Sequence, residues 1–205
     1  PRAGSTKTRL TPPLAPRQAA DLYRCLLLDT LDSVRTAAKT TPLSPIIAYA
    51  PQDAQLFFRE LAPDFALLAQ QGAGLGDRLA GAMLAASAQG YGHVAAINSD
   101  SPGLPPHFLV QAFQELDRPA VDLALGPSDD GGYYLIGWER PFARLINEVE
   151  MSTAQVLSDT LALARQVGAR VALLPSWYDI DTEADMLRLR AAGDGGKYTK
   201  EFLAG

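Results

Sequence analysis

Apolar residues recur at helical spacing over 16–38, where Leu22, Leu26, Leu27, Leu31 and Val34 form one stripe and Pro16 sits in the first turn. The pattern then shortens. Residues 46–50 form a β-branched run trimmed by Pro45 and Pro51, and a helical stretch over 53–61 leads to an apolar run at 65–69. Gly72, Gly74 and Gly76 mark a tight loop before an Ala/Leu-rich helix that ends near Gly90. A strand over 93–98, a helix over 106–116 and strands over 121–125 and 133–138 follow. Beyond Pro141 come a helix over 153–167, a strand over 170–174 and a last pair of helices. The first of these opens on Thr182 with Asp185 as a capping pair, and the second lies beyond a flexible hinge at Gly193-Asp194-Gly195-Gly196. Alternation of helical and strand-like segments predicts an α/β fold, a mainly parallel mixed sheet with helices on both faces.

The 205 residues, 47% hydrophobic and 20% charged, are enough for one domain over 1–205 with a full core. A formal charge of −5 argues against nucleic acid as a partner, because phosphate contacts demand a clustered basic surface. Cys25, the sole cysteine, lies on the apolar face of the first helix and reads as a buried structural thiol. No run of eighteen apolar residues occurs and no apolar leader opens the chain, so the expectation is a cytoplasmic protein without a membrane partner. Nothing in the pattern speaks to oligomeric state.

Two acidic loops each follow an apolar run. In Asn98-Ser99-Asp100-Ser101-Pro102-Gly103 the proline fixes the loop, so Asp100 is presented as a metal ligand or, more simply, as a helix cap. In Tyr178-Asp179-Ile180-Asp181-Thr182 the two aspartates share one face of an extended segment. Thr182 can cap the next helix and free them, and Asp181 is preferred over Asp179 as a ligand. The opening loop joins Gly4 to Lys7 and Arg9, cations suited to a di- or triphosphate, although a basic terminus is also commonly frayed. Ser128-Asp129-Asp130-Gly131-Gly132 is either a plain tight turn or a ligand loop at the same sheet edge, with Tyr133 and Tyr134 flanking an acceptor. His93 and His107 have no partner at metal-binding spacing. P-loop, HExxH, G-x-S-x-G and C-x-x-C patterns are all missing, which disfavours NTPase, zinc-protease and serine-hydrolase chemistry.

Five ordered motifs carry a resemblance over nearly the whole chain: Gly4 with Lys7-Thr8-Arg9-Leu10; Gln71-Gly72 with Leu75-Gly76 and Arg78; Ser99-Asp100-Ser101-Pro102-Gly103-Leu104-Pro105; Gly126-Pro127 with Asp130-Gly131-Gly132-Tyr133-Tyr134; and Asp179-Ile180-Asp181-Thr182. They resemble the bacterial DUF2064 family of the nucleotide-diphospho-sugar transferase superfamily, which implies a single-domain, Rossmann-like GT-A fold. More distantly, the pattern is similar to molybdenum-cofactor and phospholactate guanylyltransferases. The resemblance implies Mg²⁺ or Mn²⁺ held by Asp100 and Asp181 with Asp179 beside them. It also places a nucleotide against Gly4, Lys7, Arg9, Gln71, Gly72, Gly76, Ser99, Gly131 and Gly132. In that family a first strand precedes the cationic loop; this chain opens at Pro1 without one, so the expectation is a truncated chain or a sheet completed in another way.

The leading expectation is nucleotidyl transfer, in which the metal bridges the phosphates of an NTP, Lys7 and Arg9 stabilise developing charge and a small phosphorylated acceptor attacks. Its rival is glycosyl transfer from a nucleotide-sugar to a small-molecule acceptor, with Asp130 as the base. A third reading is a non-catalytic nucleotide-binding module.

Overall fold

Pro16, which has no amide hydrogen to leave unsatisfied, starts helix α1 (Pro16–Ala37), and Gln18 Oε1 accepts from the Ala15 amide at 2.9 Å to close the first turn. This computed structural model describes residues 1–204 of the chain. The apolar stripe of α1 serves several neighbours at once. Leu22 and Leu26 pack with Leu10 and Ile180, while Leu27 and Leu31 cover strand β1 (Ile46–Tyr49). Short helix α2 (Gln55–Leu61) joins β1 to strand β2 (Ala66–Ala69), and the two strands pair in parallel, as a strand–helix–strand unit requires.

A second sheet is built from β3 (Val94–Ile97), β4 (Leu123–Pro127), β5 (Tyr133–Trp138) and β6 (Val171–Leu173), in the order β3-β5-β4-β6. Only residues 128–132 separate β4 from β5, so these two form an antiparallel hairpin; β5 is also antiparallel to β3, whereas β4 and β6 are parallel. Strands β3, β4 and β6 therefore all run the same way and release their following loops at one end of the sheet. Helices α3 (Leu75–Ser87), α5 (Arg144–Asn147) and α6 (Val156–Gln166) cover the face bearing Leu123, Leu125 and Trp138. Helix α4 (Pro106–Leu116) covers the face bearing Ala124 and Leu135. The expected α/β fold with a mixed sheet and helices on both faces is thus present, but its strands fall into two sheets, because no strand joins β1 to β3 among the described residues.

Helices α7 (Glu183–Ala192) and α8 (Lys197–Ala204) end the described chain. The glycine segment between them is pinned and is no free hinge. Asp29 of α1, 5% exposed, accepts from the amides of Tyr198 and Thr199 at 2.9 Å each, and the Tyr178 hydroxyl donates to the Asp194 carboxylate. Cys25 is half-buried, less enclosed than its place on the helix suggested, and burial raises its thiol above the ordinary range. No helix among the described residues is long and apolar enough to cross a membrane.

Asp122, 3% exposed at the start of β4, receives the Arg170 guanidinium at 2.7 and 3.0 Å and the Arg170 amide at 2.9 Å. Hydrogen bonding from Arg170 pulls its carboxyl down to about 2 against the cost of burial. The stability this pair contributes is fully present above the ordinary carboxylate range and fades as pH falls towards 2. Asp122→Asn is expected to lower unfolding free energy by about 1–3 kcal/mol at pH 7. Urea melts should show the gap from wild type closing between pH 4 and pH 2.

Candidate functional site

Three loops meet at the shared end of β3, β4 and β6. The β6 loop runs back alongside β4: the Trp177 amide donates to Pro127 O at 3.0 Å and the Asp129 amide to Trp177 O at 3.0 Å. One step on, the Ile180 amide donates to Asp100 O at 3.0 Å, and the Trp177 indole donates to Pro102 O at 3.0 Å. These backbone bonds bring Asp100 and Asp181 to one place although the chain separates them widely. Asp100 is not a helix cap, since no side chain caps α4, and Thr182 with Asp185 caps α7 as the spacing predicted.

Lys7 joins the two carboxylates. Its Nζ donates to Asp100 Oδ2 and to Asp181 Oδ1, each at 2.7 Å, and its side chain is only 7% exposed. The opening loop is held there and not frayed. Lys7 takes the left-handed backbone region (φ 49°, ψ 47°) at the head of a 3-10 turn (Thr8–Leu10), and Leu10 is fully buried with Leu22, Leu26 and Ile180. Burial opposes charge on Lys7, but the attraction and hydrogen bonds of Asp100 and Asp181 outweigh it and raise the ammonium above its usual range. Arg9 lies 3.8 Å from Asp181 with three quarters of its side chain exposed. Gly4 is exposed in the same loop at φ +81°.

Asp179 bonds elsewhere. Its Oδ1 accepts from Ser128 Oγ at 3.0 Å, and no hydrogen bond links it to Lys7. Burial, then the charges of Asp130, Asp100 and Asp181, push its carboxyl up to about 6, offset in part by Ser128. Asp130 is exposed at the β4–β5 turn, with Oδ1 fixed by the Gly132 amide at 2.9 Å; Gly131, at φ +90°, sits so close to Ala154 O that a side chain would overlap it. Asp129 is occupied by Arg188 at 2.7 Å. Ser99 Oγ shares a 2.7 Å hydrogen bond with the Tyr23 hydroxyl.

Two expected neighbours lie apart. Tyr134 is 1% exposed in the core, its hydroxyl bonded to Pro175 O, so it cannot flank an acceptor; Tyr133 is half-buried against Met151. No hydrogen bond or ion pair ties Gln71, Gly72 or Gly76 to the Lys7 cluster. Their loop turns onto α3, where Gly72 (φ +127°) abuts Asp77, and Gly76 borders an open cavity of about 330 Å³ shared with Ile146, Asn147 and Met151. Tyr23 and Ser128 are site residues that sequence reasoning missed. Ser128 lies inside a motif already singled out, whereas Tyr23 carries no local signal, since its partner is 76 positions away.

Because the folded chain holds Asp179 near pH 6, well above an ordinary aspartate, ionisation across roughly pH 4–6 weakens the native state, and the penalty persists at all higher pH. Asp179→Asn is therefore expected to raise Tm at pH 7.5 by about 2–4 °C and to change it little at pH 4. Thermal unfolding followed by circular dichroism at the two pH values checks this.

The family described as an uncharacterized protein conserved in bacteria, DUF2064, matches residues 30–153. A crystal structure from Desulfovibrio desulfuricans G20, of a protein described only as a proposed nucleotide-diphospho-sugar transferase, superimposes with a TM-score of 0.88. It is 32% identical, and the match covers 99% of this chain and 89% of that one. No curated protein matches. With the family's span covering more than half of the sequence and this likeness over its full length, the chain belongs to the DUF2064 family.

Proposed function

We propose that this protein is a divalent-metal-dependent transferase that takes a nucleotide-sugar as donor and passes the sugar to a small acceptor. The observation that supports it most is the convergence of Asp100 and Asp181, from the loops that follow two strands, on one cation position, 2.7 Å from each and taken by the Lys7 ammonium. Among the described residues no three His, Cys, Asp or Glu side chains form a ready metal cage. Two carboxylates suit Mg²⁺ or Mn²⁺, which bind through one or two such groups and complete their shell with water and phosphate. Asn98 Oδ1 and Ser101 Oγ lie buried in the same loop as Asp100 without a hydrogen-bond partner. When bound, the metal would neutralise a diphosphate leaving group.

The chain's own groups divide the remaining work. Asp100 and Asp181 would hold the cation, Arg9 meets phosphate from solvent, and Asp130, with one oxygen fixed by Gly132, accepts the proton of the acceptor hydroxyl. Four carboxylates (Asp100, Asp130, Asp179, Asp181) face two cations (Lys7, Arg9), a balance that suits a diphosphate ester better than a free triphosphate. The description of the Desulfovibrio protein points the same way. Nucleotidyl transfer from an NTP is the second reading, favoured by Arg9, three quarters of whose side chain is open to a further phosphate.

Incubation with Mn²⁺, a panel of nucleotide-sugars and NTPs and a set of small hydroxyl-bearing and phosphorylated acceptors, read by ³¹P NMR, is expected to show nucleoside diphosphate released from one sugar donor. Asp100→Ala should slow that release by about 10²-fold or more while the protein stays folded. Pyrophosphate release would assign nucleotidyl transfer instead, and ligand binding without turnover would make the protein a binding module. Neither turnover nor a thermal shift with any of these ligands would end the transferase reading.

A further inference from the structure

We infer that Lys7 is an internal counter-cation that competes with a divalent metal for Asp100 and Asp181, so that metal binds weakly alone and cooperatively with a diphosphate that draws the ammonium away. The inference rests on the proposed metal site and concerns what the chain does there before substrate arrives. Lys7 Nζ lies 2.7 Å from one oxygen of each carboxylate, and its side chain is 93% enclosed. A magnesium ion bound to those two oxygens at its usual distance of about 2 Å would occupy the same volume. Both cannot be present. The metal must expel an ammonium whose charge the two carboxylates already stabilise, and that ammonium then needs another anion.

The loop provides for the exchange. Lys7 is one of only two non-glycine residues with positive φ among the described residues, and it sits directly before the turn that carries Arg9. Arg9, three quarters exposed, lies 3.8 Å from the second oxygen of Asp181, so a phosphate that meets Arg9 arrives at one of the two carboxylates that hold Lys7. Metal binding that releases Lys7 raises affinity for phosphate, and phosphate binding that captures Lys7 raises affinity for metal by the same factor.

Mn²⁺ titration followed by the EPR signal of the free ion tests this on the intact protein. Lys7→Met is expected to bind Mn²⁺ alone at least tenfold more tightly than wild type, and Lys7→Arg, which keeps a cation in place, to remain weak. A second measurement uses only the wild-type protein: reductive methylation of Lys7, slow in the enclosed state, should speed up when saturating Mn²⁺ is added without nucleotide. Equal or weaker Mn²⁺ binding by Lys7→Met, or unchanged methylation of Lys7 under saturating Mn²⁺, would overturn the inference while leaving a functioning metal site. Failure of every form to bind Mn²⁺, even with a nucleoside diphosphate present, would instead remove the metal site on which it stands.

Discussion

A single ammonium held between two aspartates organises this end of the molecule. Asp100 and Asp181 would repel one another if brought together bare, and taking carboxylates out of water costs several kcal/mol unless the charge is paired. Lys7 supplies that pairing at 2.7 Å to each and ties the opening loop to the ends of two strands. The loop's other anchor is apolar: Leu10, fully buried, packs beside Ile180, the residue between the two acidic positions of the β6 loop. Charge thus joins all three segments, and burial joins two of them a second time.

The convergence follows from strand direction. β5 lies between β3 and β4 and opposes both, which leaves β3, β4 and β6 running the same way. In α/β proteins ligands gather where parallel strands end, because each strand there gives way to a loop with unpaired amides and carbonyls. Here those groups are partly spent on cross-loop bonds, Ile180 to Asp100 and Trp177 to Pro127, and what remains is a rigid frame that presents side chains. Asp179 shows the cost. Buried, and held near Asp130, Asp100 and Asp181, its carboxyl is pushed up to about 6, a destabilising arrangement of the kind that binding sites carry.

Much of this was legible along the chain, and the parts that were not have physical reasons. Helix α4 and strand β5 begin and end where the sequence pattern places them, because Pro106 fits only a first turn and the apolar run from Tyr133 to Trp138 lies between a glycine pair and Pro141. The acidic loops stood out because carboxylates directly follow apolar runs. Capping by Thr182 was readable because its partner, Asp185, is three residues away. Contacts made across 51 to 174 positions leave no local trace: Lys7 between two aspartates, Ser128 on Asp179, Tyr23 on Ser99. Tyr134 was misplaced for a related reason, since only the packed sheet shows its hydroxyl turned inward to Pro175. The division into two sheets was equally hidden, because periodicity reports that a strand exists and says nothing of which edges pair.

Asp100 and Asp181 define one cation position at the end of the sheet, taken here by the Lys7 ammonium. Anomalous diffraction from a crystal of this protein grown with Mn²⁺ and a nucleoside diphosphate measures it directly. A single manganese peak within coordination distance of an oxygen from each of the two aspartates, with the Lys7 ammonium moved away, is the predicted result. A manganese peak elsewhere in the molecule, with Lys7 still bridging Asp100 and Asp181, would contradict the account.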